Sequence, residues 1–495
     1  MRARDNHATA QDLYRLQFLI GPQQPDGYPG WHHVPVAADC HLLAHPSLNI
    51  DRLDSGGMSL ILLGYMLDPA RPRAGNAEIL ERLLSALSGE AGLFGAIEPL
   101  GGRWALIVKD AHGLRLVNDA TGLRQVFHTR RGDSGAVWCA SQPGHIAAAT
   151  GLEEDEAATG FIHWMQSRDP EYWWPGTSSP YRQVRRLLPN HWLDLESGEA
   201  HRFWPVGSLP ERTVDEAIDR VSGLLTGLMQ GAARRSELAL AISAGWDSRL
   251  MLAASRSIGG NVRCYTAKRP DMDWRHMDVE IPLKLLETLG LKHDVIEHGT
   301  AVSPEFEQLF NGHVPYAHPM RLEALQSELD HYQRGRVGVT GNISEVARCF
   351  YAPPDGGEAA LDAGYLARVT GMEHPFAREH FERWLSDLDD PFNYDMLDLF
   401  YWEQRTGSWF AHNCLEFDTA WQELFLPFNN RRLLMELLAV DREYRGGPDY
   451  PLYRKLIEHL WPEVLAEPIN PRPRHSRLKR LLGRLARVAG AGRRR

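Results

Sequence analysis

Between about Met58 and Ala149 the apolar positions fall in short runs, SLILLGYML, RWALIVKD, LRLVND and AVWCAS, separated by Gly and Asp. Runs of that length bounded by turn residues predict strands, and the single helical period among them is NAEILERLLSAL, so the first domain is expected to be β-rich. Residues Pro170 to Arg185, dense in Pro, Gly and aromatics, predict an irregular connection, with a domain boundary near residues 200 to 215. After Val214 the pattern changes. The helical stretch DEAIDRVSGLLTGLMQGAARR leads into strands ELALAIS, VRCYTA and KHDVIE, alternating with a helix from Asp247 and another over DVEIPLKLLETLG. Alternation of this kind predicts a parallel sheet covered by helices. A short strand in RVGVTG and several aromatic-bearing helices between Phe392 and Leu460 complete the pattern, and no repeat is present. The expected architecture is a two-domain α/β and α+β chain, with domains at 1–205 and 206–470 and a tail at 471–495.

Composition narrows the class. A chain of 495 residues, 43% hydrophobic and 24% charged, exceeds the usual size of a single core and is neither disordered nor fibrous. It contains no run of about 18 apolar residues and starts without an apolar signal segment, which predicts a cytoplasmic protein. Cys40, Cys139, Cys264, Cys349 and Cys414 are scattered without a CxxC pair, which argues against a disulfide framework or a zinc cage. Ten of the 54 basic residues and none of the 64 acidic ones lie in 471–495, leaving −20 on the rest, so nucleic acid is not an expected partner. In the tail, Leu478, Leu481, Leu482 and Leu485 share one helical face among arginines. That pattern suits either a solvated end whose leucines cover the domain or a weak contact with a membrane surface or a protein. Oligomeric state is open, a homo-oligomer included.

The most informative stretch is LALAISAGWDSRLMLAAS: an apolar strand, a tight turn of small and hydroxyl residues, then a helix. Backbone N–H groups of such a turn converge on a phosphate-sized anion. The candidate ligands are Ser243, Ala244, Gly245 and Ser248, while Asp247 can hold a magnesium ion. The loop fits neither the GxxxxGK[ST] nor the GxGxxG pattern. It resembles the SGGxDS pyrophosphate loop of the asparagine synthetase family, with Ala244 in place of the first glycine. The bland alternative is an ordinary strand-to-helix turn capped by Ser and Asp.

Thr340-Gly341-Asn342-Ile343-Ser344-Glu345 is similar to that family's later SGEGxDE loop. The resemblance implies that Gly341 and Asn342 line the nucleotide and that Glu345 shares the metal with Asp247. Asn342 stands where asparagine synthetases have Glu and some lactam-forming relatives have Tyr, and an amide is no general base. LFLPFNNRRLLMELLAV and YPLYRKLIEHLWPEVL resemble the family's C-terminal segments and imply Lys455, beside Arg454, as the active-site lysine. Tyr265 and Thr266 are placed to flank adenine and Asp278 follows at the family's spacing, although core packing and helix capping account for these three as well. His313 and His318 belong to no HExxH motif.

Residues 56 to 148 resemble class II glutamine amidotransferase domains through Glu78, Gly102, Asp119, Gly122 and Arg124, mostly turn and core positions. Those enzymes use an N-terminal Cys as nucleophile. This chain begins Met1-Arg2 and has no Cys before Cys40, so the domain is expected to lack glutaminase activity, as in the family's β-lactam-forming and lasso-peptide macrolactam-forming branches. The resemblance as a whole implies an ATP- and Mg2+-dependent ligase that adenylates a carboxylate, releases pyrophosphate and AMP, and joins the acyl group to ammonia or to a substrate amine. The carboxylate and amine are a small molecule, a sugar acid or a peptide. A non-catalytic nucleotide-binding or scaffolding protein of the same fold is the alternative, favoured by Ala244 and Asn342. An adenylating thiolase lacks support for want of a Cys pair.

Overall fold

The computed structural model describes residues 12–471 apart from 88, 90–91, 300, 356 and 358–360. The basic tail beyond residue 471 and the chain start, on which the missing nucleophile was argued, lie outside the described residues.

Among the described residues, twelve strands build the first part of the chain: β1 (Phe18–Gly21), β2 (His32–Ala37), β3 (Cys40–Ala44), β4 (Ile50–Ser55), β5 (Met58–Leu67), β6 (Gly101–Asp110), β7 (Gly113–Asn118), β8 (Phe127–His128), β9 (Cys139–Ala140), β10 (Arg185–Arg186), β11 (His191–Asp194) and β12 (Ala200–Arg202). They form two antiparallel six-stranded sheets, ordered β10-β8-β9-β1-β3-β2 and β12-β11-β7-β6-β5-β4. Successive side chains of a strand point to opposite faces, and here both faces of the second sheet are buried. Ile61, Leu63, Ala105 and Ile107 pack with Phe18, Ile20 and Leu42 of the first sheet. The intervening Leu60, Leu62, Trp104 and Leu106 pack with Ile79, Leu80 and Leu83 of the helix Asn76–Ala86. Two buried faces explain why these strands read as unbroken apolar runs rather than as alternation.

The family-like positions of this part serve turns and caps. Asp119 accepts from the N–H groups of Trp104, Leu123 and Arg124, and Glu78 accepts from Gly75 at the helix start. Gly102 adopts φ 103°, where a Cβ would meet the Tyr65 carbonyl oxygen at 2.2 Å.

The second part begins with the helix Val214–Arg235, capped by Thr213 and Glu216. It holds a wholly parallel sheet of β13 (Leu238–Ala241), β14 (Val262–Lys268), β15 (His293–Glu297), β16 (Val337–Val339) and β17 (Glu423–Phe425), ordered β15-β14-β13-β16-β17. The chain winds outward from β13 to β15, then returns to place β16 on the other side of β13. That reversal is a topological switch point, and the crevice beyond the carboxyl ends of β13 and β16 is where open parallel sheets bind ligands. The α/β and α+β class expected from the periodicity is what the chain forms. β17, the three residues Glu423 to Phe425, was too short to separate from the helices around it. The connection at 170–184 is irregular, yet Trp173 and Trp174 sit in a core that also contains Leu225 and Leu240 of the second part. Among the described residues no helix is long and apolar enough to cross a membrane.

Two buried histidines make this packing acid-sensitive. His145 bonds Gln17 at 2.7 Å, His313 accepts from the Tyr14 N–H at 3.1 Å, and burial pushes both rings down to about 3. Each stays neutral in the folded chain while the unfolded chain takes up a proton near pH 6.5. The stability each ring contributes is therefore complete above that pH and lost as pH falls, at roughly 1.4 kcal/mol per unit. Glu328 and Asp398, whose carboxyls burial pushes up to about 7 and about 6, titrate with the opposite sign, so a difference isolates the ring. The stability advantage of the parent over a His313→Gln variant, measured by urea unfolding, is expected to shrink by about 2 kcal/mol between pH 6.5 and 5.

Candidate active site

The turn after β13 is closed by its own hydroxyls. Ser248 Oγ accepts from the Ser243 N–H at 3.1 Å and lies 3.1 Å from Ser243 Oγ, which in turn accepts from the Gly245 N–H at 3.1 Å. Gly245 is the N-cap of the helix Trp246–Ala254, so the turn delivers its amides at a helix start. The Ala244 N–H donates to the Asp278 carboxylate at 3.0 Å. An acidic oxygen thus occupies an amide of the turn that the sequence assigns to a phosphate. Ala244 itself is fully buried and is not among the residues with positive φ, so its methyl group is accommodated without strain in the turn.

The loop after β16 packs directly on this turn. A Cβ on Gly341 would meet the Asp247 carbonyl oxygen at 2.7 Å and the Asp247 Cβ at 2.9 Å, so a side chain there would push the loops apart. Thr340 donates its hydroxyl to Asn342 Oδ1, which leaves the amide turned into its own loop. Ile343 follows at φ 81°, a left-handed conformation rare for a β-branched residue and characteristic of strained functional loops. Ser344 donates its hydroxyl to one oxygen of Asp247, and Arg348 Nη2 lies 3.2 Å from the other. The same Nη2 is 3.2 Å from Glu345 Oε1. Asp247 and Glu345 therefore meet over a single cationic nitrogen. Burial, and then the neighbouring Asp247 carboxylate, push the Glu345 carboxyl up to about 7, against the pull of Arg348. The two carboxylates keep the Arg348 guanidinium firmly protonated despite its burial.

Several residues singled out in the sequence are used elsewhere. Lys455 lies on the helix Pro451–Leu460 but half exposed, its ammonium 3.8 Å from Asp215. Tyr453, two positions earlier and so on another face of the helix, reaches the loop and donates to the Ser344 carbonyl at 2.8 Å. The basic group beside the paired acids is thus Arg348, not Lys455. Tyr265 is buried against Tyr332 and Trp421, and Thr266 donates to the Ile242 carbonyl at 2.9 Å, so both hold the base of the turn rather than offer an open face for adenine. Cys40 sits in β3 with its thiol pushed up to about 11 by burial. His318, His412 and Glu416 come within 4.8 Å of one another, but His318 already engages Glu416 through Nδ1 and the Tyr172 carbonyl through Nε2, and the cluster contains no residue of either loop. A cavity of about 760 Å3 between the first part and the helix Pro375–Asp387 contains no residue of either loop.

Arg348 was legible only in hindsight, three residues after Glu345 and hence on the same side of a helical turn. Ser344 was written into the motif but given no role, and Tyr453 offered no signal.

No family model matches the sequence, and no curated protein matches it. Solved structures do. The chain is similar to the NH3-dependent NAD synthetase of Campylobacter jejuni, with 15% identity over 36% of this chain and 84% of that one and a TM-score of 0.20. It is similar to NMN synthetase from Francisella tularensis, with 13% identity over 39% and 93% and a TM-score of 0.21. It is also similar to the glutamine phosphoribosylpyrophosphate amidotransferase of B. subtilis, with 13% identity over 68% and 72% and a TM-score of 0.22.

Proposed function

We propose that this chain is an ATP-dependent carbon–nitrogen ligase that adenylates a carboxylate, releasing pyrophosphate, and passes the acyl group to ammonia or to a substrate amine with loss of AMP. The observation that carries the reading is the meeting of Asp247 and Glu345 at the β13/β16 switch point, beside a hydroxyl-rich turn at a helix start. Asp247 and Glu345 would hold magnesium, since hard carboxylate oxygens suit that ion, and when bound it would neutralise charge on the leaving pyrophosphate. The residues of the chain do the rest. The Ser243, Ala244 and Gly245 amides, held here by Ser248 Oγ, Asp278 and Ser243 Oγ, would have to exchange those partners to meet the phosphates, Ser243 and Ser248 would offer hydroxyl donors, and Gly341 lets the second loop close on the first. Holding the amine beside the acyl group would supply the effective concentration that amide formation needs. Lactam closure, macrolactam closure and amidation of a biosynthetic intermediate are the outcomes this chemistry allows.

The decisive assay is magnesium-dependent pyrophosphate release from ATP with a panel of carboxylates, scored with ammonia, with glutamine and with amine-bearing substrates. Release that requires an amine and ignores glutamine is the expected result. A second reading, a nucleotide-binding protein without turnover, draws on the same site: Arg348 already neutralises the acids and Asp278 already occupies an amide. Tight MgATP binding with no pyrophosphate under any condition would select it.

A further inference from the structure

The contacts of Arg348 are those of a cation rather than of a structural clamp. One nitrogen, Nη2, lies 3.2 Å from an oxygen of Asp247 and 3.2 Å from an oxygen of Glu345. The three side chains are 12%, 29% and 14% exposed, so this is a small, mostly dry cluster of two carboxylates around one positive centre. The guanidinium carbon lies 5.2 Å from the ring centre of Tyr450 and 6.0 Å from that of Tyr453, surfaces on which a planar cation can turn without losing its packing. Arg348 Nε is buried without a hydrogen-bond partner, a state it shares with the Nε of several other arginines here, so the feature that sets Arg348 apart from them is the pair of carboxylates on Nη2. A residue with two acids on one nitrogen and an idle donor on another is poised to change partners.

We propose that Arg348 is a resident counter-cation: without nucleotide it fills the place between Asp247 and Glu345, and when a divalent cation arrives with ATP it yields the carboxylates and turns its donors to the phosphates. This rests on the ligase reading for its second half only. A guanidinium and a divalent ion seated on the same two carboxylate oxygens repel each other strongly in a largely dry site, so the arrival of the ion favours release of Arg348 from Asp247 Oδ2 and Glu345 Oε1. The displaced fork matches phosphate oxygens in the bidentate manner that favours Arg over Lys, and it would also satisfy Nε. Arg348 would then serve twice, keeping the two acids together in the empty protein and stabilising pyrophosphate as it leaves.

The test is Mn2+ binding followed by electron paramagnetic resonance at pH 8, with the metal alone and again with ATP, in the full chain and its variants. Without nucleotide, Arg348→Met, whose apolar stem keeps the packing on Tyr450 and Tyr453, is expected to bind Mn2+ about tenfold tighter than the parent. Arg348→Lys should fall between, and it guards against a Met variant that fails to fold. With ATP present the order should reverse, the parent holding the ternary complex more tightly. Equal or weaker Mn2+ binding by a folded Met variant without nucleotide would overturn the proposal. Tighter binding by that variant, in a protein that never releases pyrophosphate, would uphold the resident cation while refuting the ligase reading.

Discussion

Replacing Asp247 by alanine is expected to lower magnesium-dependent pyrophosphate release by about 10³-fold or more while changing stability by no more than about 1 kcal/mol. The split follows from where the side chain stands. Asp247 occupies the first turn of its helix with a side chain 29% exposed, and its partners are the Ser344 hydroxyl and Arg348, so the fold loses little when it goes. The site loses one of two carboxylates that face the same point, and with it half of the negative charge that would hold a divalent ion against the phosphates. A second readout separates this from a mere loop defect. Asp247 is one of the two forces that raise the Glu345 carboxyl, so in Asp247→Ala that carboxyl should titrate lower, detectable by carbon NMR of the labelled side chain. Loss of activity with the Glu345 titration unmoved would mean that the two acids do not act as one site. Activity within tenfold of the parent would remove Asp247 from the chemistry altogether.

Much of the frame was legible because periodicity and burial agree. The β13 run is apolar throughout, as a strand covered on both faces requires, β14 keeps a buried centre from Cys264 to Thr266 with Arg263 and Lys268 toward its ends, and the turn at Ser243 follows directly on β13. The pairing of Asp247 with Glu345 was also legible, through the motif rather than the period, although 98 positions separate the two residues. What could not be read is what other elements bring to that pair. Tyr453 arrives from a helix more than a hundred residues later and was overlooked in favour of Lys455, because a lysine announces chemistry and a tyrosine in an apolar stripe announces packing. The helix turns about 200° over the two steps from Tyr453 to Lys455, and only tertiary packing decides which face meets the loop. Asp278 shows the same limit: helix capping accounted for it from sequence, and its bond to the Ala244 amide depends on β14 lying beside β13.

The link between the two parts of the chain carries the second large effect. Arg103 on β6, 1% exposed, donates from Nη1 to Asp418 at 2.6 Å and to Glu423 at 2.6 Å, and from Nη2 to Asp418 at 2.9 Å. Arg124 completes the set with a 2.6 Å contact to Glu423, so two positive and two negative groups balance in a buried interface. Arg103→Met would leave Asp418 without a cation in a site where burial already pushes its carboxyl up, and Glu423 with one cation instead of two. Breaking a buried set by removing one member typically costs about 3–5 kcal/mol, and that loss is expected in urea unfolding. Adding Asp418→Leu to Arg103→Met should recover much of it, because the stranded charge is then gone, which a double-mutant cycle would read as strong coupling. The cost should also reach the site. Glu423 begins β17, β17 pairs with β16, and the Thr340 N–H at the start of the acidic loop bonds the Phe425 carbonyl at 3.4 Å. A loosened β17 therefore frees the loop that brings Glu345 to Asp247, and Arg103→Met should weaken Mn2+ binding in the presence of ATP although Arg103 contacts neither acid. Unchanged metal affinity in a destabilised Arg103→Met protein would show instead that the first part of the chain supports the fold and leaves the site to the parallel sheet alone.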